Sequence, residues 1–239
     1  MSALAGRHAL VTGGRRGIGL AIVRALEGEG ARVSVLSRSA QSVGDGIFGV
    51  SADVSDAEQV ALAFALCRER NGPIEILVNN SGIAESAPLK RTDKAMWDRV
   101  IGTNLTGTYL CTHEAIGEML AAGWGRIVNV ASIAGLHGAP YISAYAASKH
   151  GVIGFTRSLA AEMQGTGVTV NAVCPGYTQT DMMTKAIENI VRRTGVSPER
   201  AREELAKTNP SGRIISAEEV ADAVVRLCAG AATGSEVVL

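Results

Sequence analysis

The chain has 239 residues, of which 46% are hydrophobic and 19% are charged, a size and composition that suit one domain with a large core. Lysine and arginine together number 23, as do aspartate and glutamate, so the formal net charge is zero. This balance excludes a global electrostatic attraction to nucleic acid or to an anionic membrane, and it favours a small, uncharged partner.

Apolar runs and helix-like stretches alternate along the chain. The run HALVTGG predicts a strand that ends in a glycine turn, and GIGLAIVRALEGEG predicts the helix that follows. Further strands are predicted at ARVSVLS, IFGVSADVS, IEILVNNSG, GRIVNVAS and GVTVNAVCPG, and further helices at AEQVALAFALCRERNG, residues 94–122 and YAASKHGVIGFTRSLAAEMQ. Because the strands are apolar on both faces, we predict an α/β fold with a doubly wound, Rossmann-like parallel sheet and a single domain over residues 1–239.

One stretch interrupts this alternation. Residues 178–213 are charged, have a helical pattern and follow the carboxyl end of a predicted strand. Ligands bind at that end of the strands in such sheets, so we predict a helical substrate lid here. A pair of solvated surface helices is the alternative.

The turn TGGRRGIG, residues 12–19, lies between the first predicted strand and helix. Its glycines, Gly13, Gly17 and Gly19, would let a pyrophosphate approach the backbone at the positive end of the helix. The spacing differs from GxGxxG, and a purely structural turn can look the same. The strand and helix on either side nevertheless favour dinucleotide binding.

The end of the second strand bears on which dinucleotide is bound. An acidic residue there would take the ribose hydroxyls of NAD, but this chain has Ser37 and Arg38, with Arg15 and Arg16 nearby in the first turn. Guanidinium groups bind phosphates well, so NADP(H) is the predicted cofactor. NAD stays open as the alternative, since Arg38 could be a solvated surface charge.

The sequence YAASK places Tyr145 and Lys149 one helical turn apart on the same face. A free tyrosine ionises near pH ~10, so proton transfer near neutrality needs a pKa lowered by roughly 3, or about 4 kcal/mol. The lysine cation and the positive nicotinamide of an oxidised cofactor would stabilise the phenolate. Taken alone, the pattern is also compatible with a buried tyrosine whose hydroxyl is hydrogen-bonded.

Six motifs occur in the order and at the spacings of the short-chain dehydrogenase/reductase superfamily, which the chain resembles over its whole length. They are TGGRRGIG, NNSG at 79–82, Asn104, Ser132, Tyr145 with Lys149, and PGYTQT at 175–180. The resemblance implies that Tyr145 is the general acid or base and that Lys149 is its charged neighbour and the anchor of the nicotinamide ribose. It also implies that Ser132 polarises the substrate oxygen and that Asn104 supports a proton-relay water.

The same resemblance implies a set of cofactor contacts beyond Tyr145 and Lys149. The first turn and the second strand would contribute Gly13, Arg15, Arg16, Gly17, Ile18, Gly19 and Arg38. The remaining contacts would be adenine contacts from Asp53 and Val54, ribose and loop contacts from Asn80 and Gly82, and nicotinamide or pyrophosphate contacts from Thr178 and Thr180.

Within the superfamily, the region around Ser132 and Tyr145 resembles bacterial 3-oxoacyl thioester reductases, polyketide ketoreductases and 3-hydroxybutyrate dehydrogenases. The last of these hold a free carboxylate with a histidine and a lysine at the positions of Ala134 and Ile142. A free acid would lack those partners here, so the predicted substrate is a 3-oxoacyl or 3-hydroxyacyl thioester on acyl carrier protein or coenzyme A. A cyclic or other small neutral secondary alcohol is the alternative.

A second alternative is a regulator that binds dinucleotide without turnover. The intact set of Asn104, Ser132, Tyr145 and Lys149 argues against it, because a pure binding module has no chemical need to keep all four.

The remaining expectations concern metals, compartment and assembly. The four histidines lack metal-ligand spacing, so no metal site is predicted. Dispersed cysteines without a CxxC pair, and an N-terminus without a long apolar run, predict a cytoplasmic protein. In the proteins it resembles, the helix before IVNVAS and the YAASK helix form subunit contacts, which implies a homodimer or homotetramer. Those proteins usually continue past SEVVL, so a trimmed final segment is expected, which favours a dimer.

Overall fold

The computed structural model describes residues 2–39 and 47–239. Within them, one sheet holds seven parallel strands in the order β3-β2-β1-β4-β5-β6-β7. The strands are β1 His8–Thr12, β2 Arg32–Ser37, β3 Phe48–Ser51, β4 Ile76–Asn79, β5 Gly125–Val130, β6 Val168–Cys174 and β7 Glu236–Val238. The α-helices are α1 Gly17–Gly28, α2 Ala57–Asn71, α3 Lys94–Ile101, α4 Gly107–Ala122, α5 Ser143–Glu162, α6 Asp181–Thr194, α7 Pro198–Thr208 and α8 Ala217–Ala229.

Helices cover both faces of the sheet, which confirms the predicted doubly wound fold. Successive side chains of β1 point to opposite faces, so Leu10 and Val11 belong to different core clusters. Val11 packs with residues of α1 and α8, such as Val224. Leu10 packs with residues of α2 and α4, such as Phe64. Because both faces are buried, most residues of the central strands are apolar.

The helix predicted over residues 94–122 is not a uniform α-helix. Between α3 and α4, residues Gly102–Thr106 form a π-helix, in which the N–H of Gly107 donates to the carbonyl of Gly102. A π-turn inserts one extra residue into the helical register and rotates the side chains that follow. No helix among the described residues is long and apolar enough to cross a lipid bilayer.

His8, at the start of β1, is a fully buried histidine with both ring nitrogens bonded. Its Nδ1 lies 2.7 Å from the carbonyl oxygen of Gly72, which can only accept, so Nδ1 carries the proton. Its Nε2 lies 2.8 Å from Ser34 Oγ, and that oxygen already accepts from Asn71 Nδ2 at 2.9 Å. Burial lowers the pKa of His8 below its usual value, because the charged ring would lose its hydration.

We expect His8 to make the fold less stable as the pH falls below about 6.5. In that range the unfolded chain gains a proton on His8 and the folded chain does not, so unfolding becomes more favourable until the pH reaches the lowered pKa of the folded state. Urea unfolding between pH 8 and pH 5 would measure this slope. His8→Gln should flatten it, with His150→Gln, at an exposed site, as the control. Equal slopes in wild type and His8→Gln would contradict the prediction.

Candidate active site

The sheet brings the sequence motifs to one edge. In the strand order, the direction of chain progression reverses between β1 and β4. Ligands of open parallel sheets bind outside the carboxyl ends of the strands at such a reversal. The glycine turn follows β1, residues 80–82 follow β4, Ser132 follows β5, and residues 175–180 follow β6. All of these segments therefore lie along the edge where a ligand is expected.

The turn after β1 has the backbone of a phosphate-binding loop. Gly13 and Gly17 have φ angles of 67° and 51°, in the left-handed region that favours glycine. A Cβ on Gly19 would lie 2.5 Å from Asn80 Nδ2, so a larger residue does not fit there. Helix α1 begins at Gly17, and the free N–H groups of its first turn, including that of Ile18, are donors for an anion. These features fit the pyrophosphate of a dinucleotide.

The Asn80 side chain braces this turn. Its Nδ2 donates to the carbonyl oxygens of Thr12 at 2.9 Å and of Gly13 at 3.3 Å. In return, Thr12 Oγ1 accepts from the N–H groups of Asn80 at 3.0 Å and of Ser81 at 2.9 Å. Four hydrogen bonds thus join the turn after β1 to the end of β4. The side-chain amide of Asn80 makes two of them and so stabilises the turn.

Two arginines lie at the carboxyl end of β2. The guanidinium group of Arg15 is hydrogen-bonded to both the backbone carbonyl and the hydroxyl of Ser39. Ser37 Oγ also donates to the Ser39 carbonyl, at 3.0 Å. Arg38, between the two serines, is exposed. Arg15 and Arg38 are therefore the cations at this strand end, and their contact with a phosphate on the adenosine ribose of NADP stays a prediction.

Arg16 does not join them. The sequence predicted it within reach of β2, but its Nη1 lies 3.7 Å from Asp181 Oδ2, at the start of α6. Arg16 has extended backbone angles, φ −155° and ψ 166°, directly before α1, and its side chain reaches the start of α6. The cations near β2 are therefore Arg15 and Arg38, and Arg16 bridges the first turn to the predicted lid.

Asp53 and Val54 form the turn after β3, at the predicted adenine end. Asp53 Oδ1 accepts from the N–H of Ser55 at 2.9 Å and from its hydroxyl at 2.7 Å. Val54 is buried against the start of α4, where a Cβ on Gly107 would lie 2.7 Å from Val54 Cγ2. The aspartate thus shapes the turn and the valine fixes it to the helix, so their contact with adenine stays a prediction.

Ser132 follows β5 and caps a short 3₁₀ helix, Ile133–Gly135. The side chain is buried, and its Oγ accepts from the N–H of Ala134 at 3.1 Å. This bond uses the oxygen as an acceptor and leaves the hydroxyl hydrogen free to donate. The geometry suits a group that donates to a substrate carbonyl oxygen.

Helix α5 carries Tyr145 and Lys149 in its first turns, as the spacing predicted. The Nζ of Lys149 lies 5.9 Å from the ring centroid of Tyr145 and donates to the carbonyl oxygen of Val130 at 2.8 Å. An ammonium group has three N–H donors, so two stay available for other partners. Burial lowers the pKa of Lys149 to about 8, so its charged form still predominates at pH 7.

The pKa of Tyr145 moves in the direction opposite to the sequence expectation. Burial raises it, and the nearby phenol of Tyr177 adds to the rise, whereas a hydrogen bond with Ser132 acts to lower it. The desolvation of the phenolate therefore outweighs the effect of the protein groups around it. Tyr145 is consequently protonated at neutral pH, the form that can donate a proton to a ketone oxygen.

Asn104 lies in the π-helix, and its side chain ties three segments together. Its Oδ1 accepts from the N–H of Ile83 at 2.9 Å, and its Nδ2 donates to the Ile83 carbonyl at 3.0 Å and to Ser148 Oγ at 2.9 Å. A Cβ on Gly82 would lie 3.4 Å from Asn104 Oδ1 and 3.7 Å from Lys149 Nζ. The predicted residues Gly82, Asn104 and Lys149 are therefore neighbours in the structure.

Ser148 is a member of this cluster that the sequence analysis did not single out. It is fully buried, and its hydroxyl donates to the carbonyl of Tyr145 at 2.7 Å while it accepts from Asn104. The residue therefore links the π-helix to the turn of α5 that carries Tyr145. A small polar residue directly before Lys149, on the buried face of α5, was the available signal.

Thr178 and Thr180 lie where the predicted lid begins. The hydroxyl of Thr178 donates to the carbonyl of Gly176 at 3.1 Å, and that of Thr180 donates to the carbonyl of Thr178 at 3.2 Å. A Cβ on Gly17 would lie 3.2 Å from Thr180 Cγ2, so this segment touches the first turn. Between the first turn and helices α6 and α7 there is an open cavity of about 580 Å³.

The described residues contain no cluster of three histidine, cysteine or acidic side chains that could hold a metal ion. The polar groups at the edge of the sheet are instead hydroxyls, amides and cations.

A glycine turn at a helix N-terminus, beside a buried serine, a tyrosine and a lysine, defines a Rossmann-type oxidoreductase site. The family model described as "short chain dehydrogenase" matches residues 7–190. The chain therefore belongs to the short-chain dehydrogenase family, whose members are oxidoreductases, and the predicted resemblance is confirmed.

Relatives and solved structures agree with this assignment. The chain is 42% identical over 190 residues to the 3-oxoacyl-[acyl-carrier-protein] reductase MabA of Mycobacterium avium, a match that covers 80% of this chain and 74% of that protein. It is 36% identical over 234 residues to the D-beta-hydroxybutyrate dehydrogenase of Rhizobium meliloti (strain 1021), with 92% and 91% covered. A variant of actinorhodin polyketide ketoreductase, crystallised with NADPH, superposes with a TM-score of 0.91 at 37% identity, with 99% and 97% covered.

Proposed function

We propose that this protein is an NADP(H)-dependent oxidoreductase that interconverts a ketone and a secondary alcohol, with a 3-oxoacyl thioester as the ketone. NADPH, when bound, supplies the hydride. The observation that carries the proposal is that the Ser132 hydroxyl, a protonated Tyr145 and the Lys149 ammonium group lie together at the edge of the sheet.

The chain's own groups have distinct roles in this reaction. Ser132 donates a hydrogen bond to the ketone oxygen and orients it, and Tyr145 transfers its phenolic proton to that oxygen as it becomes an alcohol. The Lys149 cation stabilises the phenolate that remains, and its two free N–H groups are suited to the hydroxyls of a ribose. Asn104 supports the water through which a proton returns. Both side-chain N–H groups of Asn104 donate, to Ile83 and to Ser148, so an oxygen atom of Asn104 would accept the hydrogen bond from that water.

The remaining predicted contacts surround the cofactor. Arg15 and Arg38 at the end of β2 favour NADP(H) over NAD. The glycine turn would bind the pyrophosphate, and Thr178 and Thr180 would contact the cofactor from the opposite side of the cleft. In this proposal residues 178–213, with helices α6 and α7, form the substrate lid.

Ala134 and Ile142 support a neutral substrate. They occupy the positions at which the hydroxybutyrate dehydrogenases that the chain resembles hold a carboxylate with a histidine and a lysine, so a free hydroxy acid would lack those two partners. The relatives include a reductase of acyl-carrier-protein thioesters and a polyketide ketoreductase, whose names describe neutral ketones close to a second carbonyl. A thioester keeps its charged carrier outside the pocket and is compatible with these residues.

A panel of ketones and alcohols tests the proposal. The purified protein would be incubated with NADPH or NADH and each compound, and the absorbance of the reduced nicotinamide followed. We expect the highest kcat/KM for 3-oxoacyl thioesters with NADPH. Turnover of cyclic or simple ketones alone would instead indicate a dehydrogenase of small neutral alcohols. Cofactor binding without turnover of any compound would indicate a regulator.

We also propose that the protein is a homodimer or homotetramer. Tyr109 and Leu120 on α4 are 48% and 41% exposed, and α4 is the helix that forms subunit contacts in the proteins that the sequence resembles. Light scattering at micromolar concentration should give the mass of two or four chains, and Tyr109→Arg should lower it. A wild-type mass of one chain would contradict this prediction.

The cytoplasm is the proposed compartment. All four cysteines are free and buried, and proteins that keep their thiols reduced are typical of the cytosol.

A further inference from the structure

A chain of four polar side chains crosses the core between the sheet and helices α4 and α5. Asn79 of β4 donates from Nδ2 to Thr112 Oγ1 of α4 at 3.0 Å and to Asn129 Oδ1 of β5 at 2.9 Å. Asn129 Nδ2 in turn donates to Thr156 Oγ1 of α5 at 2.8 Å. The two asparagines face each other in the register of β4 and β5. The chain therefore joins two neighbouring strands to two helices.

The last link of this chain, from Asn129 to Thr156, connects the two elements that hold the proposed catalytic groups. Strand β5 ends shortly before Ser132, and α5 carries Tyr145 and Lys149. A shift of α5 along β5, or away from it, would change the distance from Ser132 to both of the other groups.

Helix α5 is bonded to β5 at two points. Near the site, Lys149 Nζ donates to the carbonyl oxygen of Val130 at 2.8 Å. About two helical turns further along, Thr156 accepts from Asn129, and its hydroxyl donates to the Val152 carbonyl of α5 at 2.7 Å. A single bond would leave the helix free to pivot about it. The second bond fixes both the angle and the depth of α5 on the strand.

Stability alone does not explain these polar groups. Asn129 and Thr156 are both fully buried, and the residues on either side of Asn129 in β5 are buried valines. Hydrogen bonds only partly offset the cost of burying an amide and a hydroxyl, and apolar residues of similar size are often as stable there. Asn79 Oδ1 even lacks a hydrogen-bond partner among the described residues. What a hydrogen bond adds is direction, which apolar contacts do not have.

We propose that Asn129 and Thr156 are positioning residues that hold α5 at a fixed depth and angle on β5, and so keep Tyr145 and Lys149 aligned with Ser132. The inference rests on the proposed function and deepens it. Neither residue needs to touch the substrate, because the effect passes through the helix. A misplacement of about 1 Å in the reacting groups can lower a rate by up to about 10²-fold.

Substitutions at position 156 test the inference, because they separate the hydroxyl from the shape of the side chain. Thr156→Val keeps the shape and loses the hydroxyl, whereas Thr156→Ser keeps the hydroxyl and loses the methyl group. Thr169→Val is the matched control. Thr169 of β6 is also buried, and its hydroxyl has no hydrogen-bond partner within the described part of the chain.

Each protein would reduce the 3-oxobutanoyl thioester of N-acetylcysteamine with NADPH, far below its melting temperature so that all of the enzyme is folded. We expect Thr156→Val to lower kcat about tenfold. Thr156→Ser should stay within about twofold of wild type, since it keeps the bond to Asn129. Thr169→Val should match wild type. The affinity for NADPH, measured by calorimetry, should change less than kcat, because the first turn lies on other elements.

A purely structural role predicts a different pattern. Thr156→Val leaves an N–H of Asn129 unpaired and should lower the melting temperature in either case, so only kcat of the folded enzyme discriminates. A wild-type kcat in Thr156→Val would overturn the positioning role. So would a loss in Thr156→Ser or in Thr169→Val as large as that in Thr156→Val.

If Thr156→Val does not fold, the pair Thr156→Ser and Thr156→Ala decides, because these two variants differ by the hydroxyl alone. A lower kcat in the alanine variant would support the inference, and equal kcat values would overturn it. A wild type that reduces neither the thioester nor any other ketone would overturn the proposed function and the inference with it. An active wild type with equally active variants would overturn the inference alone, so the two failures are distinguishable.

Discussion

Tyr145→Phe is expected to lower kcat by about 10²–10⁴-fold while the affinity for NADPH stays nearly unchanged. Phenylalanine keeps the ring that packs at the start of α5 and removes only the hydroxyl. That hydroxyl is the proton donor of the proposed reaction, and burial keeps it protonated at neutral pH. The loss should therefore appear in the chemical step and not in cofactor binding.

Two measurements on the same variant separate these effects. Single-turnover reduction of the ketone would report the chemical step, and titration with NADPH by calorimetry would report binding. Tyr109→Phe serves as the control, because it removes a phenolic hydroxyl from α4, outside the group of Ser132, Tyr145 and Lys149. A Tyr145→Phe enzyme with wild-type turnover would refute the assignment of the proton donor, and a large loss of NADPH affinity would show that the hydroxyl supports the cofactor instead.

Much of the fold could be predicted from the order of apolar runs, because strands buried on both faces need continuous valine and isoleucine. The meeting of Ser132 with Tyr145 and Lys149 was also predictable. Ser132 follows the central strand β5, and Tyr145 and Lys149 lie in the first turns of α5, the next long helix. In a parallel sheet the end of a strand and the start of the helix that follows it lie at the same edge.

Other features depend on geometry that no local pattern encodes. The residues Gly102–Thr106 fit an ordinary helix as well as a π-helix, and only the hydrogen-bond register distinguishes the two. A hydrogen bond from the Tyr177 N–H to the Asn209 side chain joins positions 32 residues apart, with no periodicity between them. The direction of the Tyr145 pKa shift depends on burial, which outweighs the hydrogen bond from Ser132, so the spacing of Tyr145 and Lys149 could not decide it.

The sequence also could not predict where two neighbouring side chains of the first turn point. Arg15 and Arg16 are equivalent in the sequence, and both were predicted to lie near the end of β2. In the structure, the Arg15 side chain reaches Ser39, whereas the Arg16 side chain reaches Asp181. This division makes the three arginines near the cofactor cleft a natural set of variants for the choice between cofactors.

Arg38→Ala is expected to raise the KM for NADPH by about 10- to 150-fold, which corresponds to the loss of one charge-assisted bond of roughly 1.5–3 kcal/mol. The KM for NADH should change little, because NADH has no phosphate on its adenosine ribose for Arg38 to bind. Arg15→Ala should also raise the KM for NADPH more than that for NADH, since the Arg15 guanidinium lies beside Ser39 at the same strand end.

Arg16→Ala is the matched control. It removes the same charge from a residue that pairs with Asp181, so the ratio of the KM for NADPH to that for NADH should stay at its wild-type level. Steady-state kinetics with both cofactors would measure all four ratios. If Arg38→Ala raised both KM values equally, or if the wild type preferred NADH, Arg38 would be a surface charge without a role in cofactor choice.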